Sequence, residues 1–299
     1  MNYLVRRCAV SAAKVLAASI LSYFLFSVVP GDYFSAERFD PQRSTQYVDK
    51  LALEKGLDRS WPRRYAEWAA SCVRGDCGTS LAYGISATRL IGPRLRKTLE
   101  IAIPALVLAW MAGLGLTWGS LRFRRWRLEG PLEQAAAGSA LVPEVIVISL
   151  LLWAAVAVGM PVSGAWLPIL GLAFAMAPVV YLHASSGLRR ATQLLFVQLA
   201  RRRGIGGARL WIRYVLPAAA SSLISLGGLS LATAIGSSML VEVLTGWPGL
   251  GPLFLEGVQA RDYPVVQTVL VMLAAVLTVS NLAADLLLYR VDPRIRVPR

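Results

Sequence analysis

The sequence predicts an all-α, polytopic membrane protein with six transmembrane helices. Of its 299 residues, 56% are hydrophobic and 16% are charged, and the mean hydropathy of +0.55 is too high for a soluble domain. Several apolar runs are long enough to cross a bilayer, and most of the basic residues behind the net charge of +14 lie between those runs. The charge therefore reflects membrane topology, and no RNA- or DNA-binding motif supports a nucleic-acid partner.

The first apolar run extends to about Val29 and is interrupted only by Lys14, which can snorkel to the cytoplasmic headgroups. A signal peptide would need a shorter run and a small-x-small cleavage site, which residues 34–36 do not provide. We therefore expect a first spanning helix with its N-terminus inside, ended by Pro-Gly-Asp at 30–32.

A polar segment, residues 30–97, follows and is expected outside, since segments beyond about 60 residues translocate largely regardless of charge. Cys72 and Cys77 lie in it, whereas Cys8 lies at the cytoplasmic end of the first helix. An oxidising compartment would permit a Cys72–Cys77 disulfide. The alternative is two unrelated thiols, since residues five apart on one helix do not face each other.

The second span, about residues 99–121, carries Pro104 as a kink site. Four arginines place the loop after it inside: Arg122, Arg124, Arg125 and Arg127.

The third span, about residues 134–158, carries Pro143 and Glu144. Ten helical residues from Gln134 would put Glu144 about 15 Å deep, near the bilayer midplane. An acid there costs about 2.5–3.5 kcal/mol and rarely faces lipid. Glu144 is therefore either protonated or hydrogen-bonded to a neighbouring helix or subunit, or it is a candidate wall of the translocation path that favours cationic solutes.

A basic segment, residues 188–217, separates the fourth span, about 166–187, from the fifth, about 217–243. It holds seven arginines and no acid, so it is expected inside. Within it, an apolar helical patch precedes three consecutive arginines and a glycine-rich turn. Such a helix can be pressed into a groove on a partner protein, although a basic loop resting on anionic lipid would have a similar composition. The patch consists of Leu195, Phe196 and Leu199.

The sixth span, about residues 264–289, follows a loop rich in Pro and Gly. That loop and three other stretches resemble permease subunits of binding-protein-dependent ABC importers, of the dipeptide, oligopeptide and nickel transport family. EVLTGWPGLG at 242–251 and RDYPVVQ at 261–267 match the family's last external loop, and RGDCGTS at 74–80 resembles its first external segment. DPRIR at 292–296 resembles the family's cytoplasmic C-terminus.

The fourth stretch, residues 198–217, resembles the family's cytoplasmic signature. Ala200, Gly204 and the Leu-Pro pair at 216–217 fit that signature, whereas Gln198 and Leu199 stand where Glu and Ala are usual. In the family this segment is the helix that docks on the ATPase subunit.

The resemblance implies a type I ABC importer permease fold and one transmembrane permease domain over residues 1–299. Its parts would be an extracytoplasmic segment at 30–97, core helices two to six at 98–289 with a coupling loop at 188–213, and a cytoplasmic tail at 290–299. The residues expected at the ATPase contact are Gln198, Leu199, Ala200, Arg201, Arg202, Arg203, Gly204 and Ile205. The residues expected beside the external gate and the binding protein are Trp247, Pro248, Gly249, Arg261, Asp262 and Tyr263.

No catalytic or metal-binding arrangement is predicted, and the chain has a single His. It also has no P-loop, since Arg96 in the stretch 92–98 stands where a second glycine must approach phosphate. ATP and magnesium are therefore expected on two partner ATPase subunits. The resemblance also implies a second, homologous permease subunit, an extracytoplasmic substrate-binding protein, and a multi-pass location in the bacterial inner membrane with both termini cytoplasmic.

Peptides, nickel chelates and other small solutes share this permease type, so the sequence leaves the substrate open. The alternative function is a stand-alone proton- or ion-coupled carrier, which would need titratable residues within the spans. The candidates are Glu144, His183, Glu242 and Asp285. A membrane anchor without transport fits poorly with the Pro and Gly inside the spans.

Overall fold

The computed structural model describes residues 2–28, 33–34, 45–54, 56, 58–122 and 129–291. These residues are almost entirely helical, and their one β-type feature is an isolated bridge between Thr79 and Ser86. The helices are α1 (Asn2–Val28), α2 (Thr45–Glu54), α3 (Trp61–Val73), α4 (Ala87–Arg122), α5 (Glu129–Ala140), α6 (Glu144–Ala157), α7 (Trp166–Gln193), α8 (Leu195–Arg202), α9 (Gly207–Leu210), α10 (Leu216–Thr245), α11 (Leu250–Gln259) and α12 (Tyr263–Val291). A π-helical turn, Trp211–Val215, joins α9 to α10.

The fold class predicted from the sequence is confirmed. Five helical stretches are long and apolar enough to cross a membrane: Val5–Val28, Ala87–Ser120, Trp166–Gln193, Gly207–Thr245 and Tyr263–Val291. A sixth crossing results if the bent pair α5 and α6 counts as one span. Three predicted features lie outside the described residues: the helix end at 30–32, the arginines at 124, 125 and 127, and the tail at 292–299.

The predicted continuous third helix is wrong, because the chain bends by 95° between α5 and α6. Proline has no N–H to donate and disfavours helical geometry in the residue before it. Accordingly α5 ends at Ala140, and Pro143 is the N-cap of α6. Glu144 is thus the first residue of a new helix, and the depth of about 15 Å calculated for a straight helix does not apply.

The second helix begins about three turns earlier than its hydropathy predicts, because α4 starts at Ala87 instead of residue 99. Ala87 and Ile91, four residues apart, face the same way and are buried in a cluster with Leu250, Leu253 and Val265. This packing orders the first three turns of α4, so residues 87–97 are helical and continuous with the second span.

Helices α4, α7 and α10 form the centre of the bundle, and α1 lies at its edge against α12. Small residues bring the central helices close together. A Cβ on Gly113 would lie 2.7 Å from Val180 of α7, and one on Gly228 would lie 3.0 Å from the Ser280 carbonyl oxygen of α12. Gly228 thus allows α10 to approach the backbone of α12 closely.

Cys72 and Cys77 form a disulfide. The interpretation of this pair as two thiols that face apart on one helix is wrong. Helix α3 ends at Val73, and the chain turns back through Gly75, which has a φ of 90°. The turn brings the two Cα atoms to 4.1 Å. Trp68 also donates its indole N–H to the Cys77 carbonyl at 3.0 Å, which holds the loop against α3.

Candidate functional site

Helix α8, Leu195–Arg202, is the short amphipathic helix predicted for the ATPase contact. Val197 and Ala200 are buried against Ala184 and Leu188 of α7 and Val215 of the π-helical turn. The opposite face carries the predicted apolar patch, which is open to the surroundings. The exposed fractions in that patch are 72% for Leu195, 49% for Phe196 and 45% for Leu199.

Gly204 ends α8 in a backbone conformation that explains why a glycine stands at this position. Its φ of 81° is left-handed, a conformation that side chains with a Cβ rarely adopt. The Gly204 N–H donates to the Arg201 carbonyl at 3.0 Å, and the Ile205 N–H donates to the Ala200 carbonyl at 3.1 Å. This pair of bonds is a Schellman motif. The chain therefore reverses here and leaves Arg201, Arg202 and Arg203 exposed at the end of the helix.

The structure divides the predicted coupling residues into two groups. Ala200 is 5% exposed and Ile205 packs on the same inner cluster, so both hold α8 on the bundle instead of facing outward. Leu199 and Gln198 are exposed. Gln198 also donates its side-chain amide to the Gln193 carbonyl at the end of α7, at 3.0 Å. Since α7 runs to Gln193, most of the predicted loop 188–213 is helical.

At the other end of the bundle, the turn after α10 is organised by a buried acid. Glu242 has no exposed surface, and its carboxylate accepts a hydrogen bond from the Gly251 N–H at 2.6 Å. The neighbouring Leu250 N–H donates to the Thr98 hydroxyl of α4 at 2.9 Å. A carboxylate at a helix N-terminus satisfies free N–H groups and opposes the positive end of the helix dipole. Glu242 thus fixes the start of α11.

Trp247, Pro248 and Gly249, three of the predicted gate residues, form the link between α10 and α11. Trp247 donates its indole N–H to the Lys97 carbonyl at 2.9 Å, and the Lys97 ammonium lies 5.5 Å from the ring centroid. A Cβ on Gly249 would collide with the Glu242 carboxyl group. Pro248 is exposed. The link is therefore tied to α4 on one side and closely packed on the other.

Asp262 connects this region to the segment before α4. It is 1% exposed, and its carboxylate accepts hydrogen bonds from the Ser80 hydroxyl and, at 3.1 Å, from the Ala82 N–H. Next to it, Arg261 has a φ of 55°, an uncommon conformation for a residue with a Cβ. The Tyr263 ring lies 4.7 Å from the guanidinium carbon of Arg64, on α3. The predicted gate residues are thus brought together with residues 64–82.

A second contact joins these two regions outside the candidate membrane spans. The Tyr83 hydroxyl donates to the Glu256 carboxylate at 2.7 Å. This hydrogen bond is the main reason why the pKa of Tyr83 is raised above its usual value, with burial as the second cause. The carboxylates of Asp262, just before α12, and Glu256, on α11, therefore both hold the loop 76–86.

Glu144 lies half-buried at the start of α6 and accepts a hydrogen bond from the Ser237 hydroxyl of α10 at 2.7 Å. The hydrogen bond to a neighbouring helix, one of the alternatives for this acid, is therefore present. Glu144 is also in the first turn of its helix, where a negative charge is favourable.

The two predicted surfaces lie at opposite ends of one helix. The buried cluster that holds α8 contains Val215, the last residue of the π-helical turn, and Ala219, in the first turn of α10. The turn around Trp247 follows the other end of α10. Thirty residues of helix span about 45 Å. Helix α10 thus connects the arginine-rich α8 to the turn closed by Glu242.

Sequence reasoning missed several residues that build these surfaces. Thr98, Ser80 and Gln267 each make a buried contact between segments distant in the chain, including a hydrogen bond from the Gln267 amide to the Ser19 carbonyl at 2.8 Å. Ser80 and Gln267 do lie inside the stretches RGDCGTS and RDYPVVQ, but a polar residue in a motif does not reveal which distant group it contacts.

Comparison with known proteins gives a consistent result. The family described as "Binding-protein-dependent transport system inner membrane component" matches residues 111–297. An oligopeptide transport system permease protein of Bacillus subtilis is 29% identical, with 98% of each chain covered. An oligopeptide transport system permease protein of Mycobacterium tuberculosis is 27% identical, and a glutathione transport system permease protein of Escherichia coli is 25% identical, with 99% of each chain covered.

Among solved structures, the crystal structure of an amino acid ABC transporter with histidines is similar in fold. The TM-score is 0.52 at 18% sequence identity, and the match covers 69% of this chain and 94% of that one. At that identity the likeness concerns the helical architecture alone.

Proposed function

Because the chain belongs to the family of binding-protein-dependent transport system inner membrane components, we propose that it is the permease subunit of an ATP-driven importer. The partner subunits would hydrolyse the ATP, and the permease would work by alternating access. The family and the full-length likeness to ABC transporter permeases make it a multi-pass inner-membrane transport subunit that works with ATPase subunits and a substrate-binding protein. The proposal adds how the chain is driven, which surfaces it uses and how it is oriented.

The observation that carries the proposal is the exposed apolar face of α8. Leu195, Phe196 and Leu199 point away from a helix that Val197 and Ala200 anchor to the bundle. Exposed apolar side chains on an anchored helix are suited to a groove on another protein. The arginines at positions 201–203 supply charge at the rim of that contact. The ATPase subunit is the partner that this surface would take.

Transmission would follow α10. When the ATPase subunits close, α8 would move with them, and its buried face would carry the start of α10 with it. At the other end, α10 is joined to the turn around Trp247 and, through Glu242, to α11. In this way a movement at α8 reaches the predicted external gate, at Trp247, Pro248, Gly249, Arg261, Asp262 and Tyr263. The mechanism needs a second permease subunit to complete the path, and we propose a homologous, distinct one.

The proposed substrates are short peptides, because relatives matched over nearly their whole length are oligopeptide or glutathione permeases. Glutathione is itself a small peptide, so the names share one chemical class. Nickel chelates remain a proposal from the sequence motifs alone. Uptake assays with the partner binding protein and labelled di- to pentapeptides would identify the substrate directly.

The alternative, a stand-alone ion-coupled carrier, is not favoured by the surroundings of its candidate residues. Asp285 forms an ion pair with Arg7 at 2.9 Å, and Glu242 closes the start of α11. His183 contacts the Val179 carbonyl of its own helix at 2.9 Å. These three of the four candidate groups therefore each have a structural contact. Purification of the tagged chain separates the two functions: ATPase subunits that co-purify support the importer, and a lone chain that transports without ATP supports the carrier.

Reporter fusions test the proposed orientation. Fusions at residues 50 and 255 are expected to be active outside the membrane, and fusions at residues 125 and 205 inside, because short basic loops stay in the cytoplasm. Alkaline phosphatase and green fluorescent protein report the two sides. An inside signal at residue 50 would contradict both the six-span topology and the cytoplasmic N-terminus.

Glu144→Gln tests whether this acid lines the path. Gln keeps the size and can still accept the Ser237 hydrogen bond, so only the charge is lost. If the charge attracts a cationic peptide, kcat/KM for that peptide should fall about tenfold, the effect of losing about 1.4 kcal/mol of attraction. Uptake of a neutral peptide and the amount of assembled complex should not change.

Ser237→Ala is the matched control, because it removes the hydrogen bond and leaves the charge. It should retain the preference for the cationic peptide. If Glu144→Gln takes up each peptide at the same rate as the wild type, Glu144 is a packing residue only.

A further inference from the structure

A cavity of about 400 Å³ lies where α1 ends, between α1, α3, α11 and α12. Its volume is within the range of small-molecule sites, about 300–1,000 Å³. Tyr23 and Phe26 of α1 form one wall, and Trp61 and Arg64 of α3 form another. None of the residues described above at α8 or at the Glu242 turn borders it.

The charged side chains that border the cavity among the described residues are all basic. Arg59, Arg64 and Arg261 border it, and no acidic side chain does among the described residues. Arg59 is neutralised from outside by Glu67, at 2.8 Å. Arg64 is half-buried over the Tyr263 ring and makes no ion pair with a carboxylate in the described part of the chain. A partly buried guanidinium without a counterion is costly, and an anion in the cavity would remove that cost.

One buried acceptor also borders the cavity. Gln267 has no exposed surface, and its amide N–H donates to the Ser19 carbonyl at 2.8 Å, which fixes the orientation of the group. Its carbonyl oxygen, Oε1, has no hydrogen-bond partner among the described residues. An unsatisfied buried acceptor needs a donor. A ligand that satisfies both Arg64 and Gln267 must therefore carry an oxyanion and, close to it, an N–H or O–H group.

The position of the cavity indicates where such a ligand comes from. It opens at the end of a candidate membrane span, Val5–Val28. Trp61 packs edge-on against Phe24 there, with 5.5 Å between ring centroids, and tryptophan is enriched at membrane–water interfaces. Leu21 and Leu25 of α1 are more than half exposed and form an apolar surface below the cavity. A lipid could thus place its headgroup in the cavity and its acyl chains along α1.

We propose that this cavity binds the headgroup of a membrane phospholipid that has a hydrogen-bond donor beside its phosphate, such as an ethanolamine ammonium or a glycerol hydroxyl. Arg64 holds the phosphate, and the Gln267 carbonyl accepts from the donor. Choline headgroups carry the same phosphate but no donor, so they leave Gln267 unsatisfied. Bound lipid would join α1 to α3 and α12 at the edge of the bundle, where α1 has few other neighbours.

Native mass spectrometry of the purified full chain, titrated with phosphatidylethanolamine, phosphatidylglycerol or phosphatidylcholine, tests the proposal. The first two lipids should stay bound at lower concentration than the third. Arg64→Gln should weaken phosphatidylethanolamine binding about tenfold, the loss expected for a hydrogen bond to a charged group. Arg64→Lys keeps a positive charge, so its affinity for phosphatidylethanolamine should lie between those of the wild type and Arg64→Gln.

Arg63→Gln is the matched control, because Arg63 is exposed on the same helix, pairs with Glu67 and does not border the cavity. It should bind lipid as wild type does. Equal retention of the three lipids by the wild type would overturn the proposal even if Arg64→Gln fails to fold. The proposal would also be overturned if a folded Arg64→Gln variant bound phosphatidylethanolamine as tightly as the wild type does. Displacement of the lipid by millimolar inorganic phosphate would contradict a lipid ligand and identify a soluble anion as the occupant.

Discussion

Replacement of both Phe196 and Leu199 by aspartate is expected to abolish the stimulation of ATP hydrolysis by the binding protein while the subunit stays folded in the membrane. The two side chains are about half exposed in the isolated subunit, so the change costs its fold little. In the complex they would be buried against the ATPase subunit. Each substitution would then forfeit about 1.5–3 kcal/mol of apolar burial and would also bury an unpaired carboxylate. A combined loss above about 4 kcal/mol weakens docking by about a thousandfold.

The measurement is ATPase activity of the reconstituted complex with and without loaded binding protein. Gln198→Glu is the control, since it adds a negative charge to the same helix at the position where the cytoplasmic signature that this stretch resembles has Glu. It should leave stimulation intact. Ala200→Arg would be a poor test, because Ala200 is buried against α7 and its replacement would displace α8 itself. Full stimulation in the double aspartate variant would refute docking through this face.

Gly251→Ala is expected to destabilise strongly the end of the bundle that carries Glu242 and α11. A Cβ at Gly251 would overlap the carbonyl oxygen of Met239 in α10, and neither backbone can move by a change of rotamer. Overpacking of this kind costs about 3 kcal/mol or more, which corresponds to a fall in Tm of about 10 °C for a chain of this size. The same shift would pull the Gly251 N–H away from the Glu242 carboxylate, which would leave a buried acid without its donor.

Thermal unfolding of the detergent-solubilised subunit, followed by transport in cells, measures the effect. Gly92→Ala is the matched control, because Gly92 also lies in a helix near this end of the bundle and no atom would contact its added Cβ. Its Tm should stay the same or rise slightly, since Ala has the higher helix propensity. A Gly251→Ala variant as stable as Gly92→Ala would show that α10 and α11 are not held at this distance.

Several features of the candidate sites could be predicted because they depend on neighbouring residues in the chain. The apolar patch of α8 follows from the spacing of Leu195, Phe196 and Leu199, and its end follows from Gly204. The turn at 246–249 follows from its Gly and Pro content. Whether those residues contact an ATPase subunit or form a gate stays a prediction, because that depends on other chains.

Other features could not be predicted because they depend on contacts and turns that form only in the folded chain. Glu242 is buried because it meets the start of α11, and Asp262 because it meets Ser80, 182 residues distant. Hydropathy placed the start of α4 too late, because it does not register the cluster around Leu250 that orders Ala87 and Ile91. The Cys72–Cys77 disulfide depended on where α3 ends, which is at Val73.

The sequence by itself determined the class of protein, the number of apolar segments and the stretches that resemble a permease. These follow from the transfer free energy of side chains and from local backbone preferences, which act one segment at a time. Only the tertiary structure decided that Ala200 faces inward beside an outward Leu199, that the chain bends sharply before Glu144, and that three arginines surround one cavity with a buried amide. Those features arise where helices pack against one another, and close packing depends on the shapes and polar groups of residues distant in the chain.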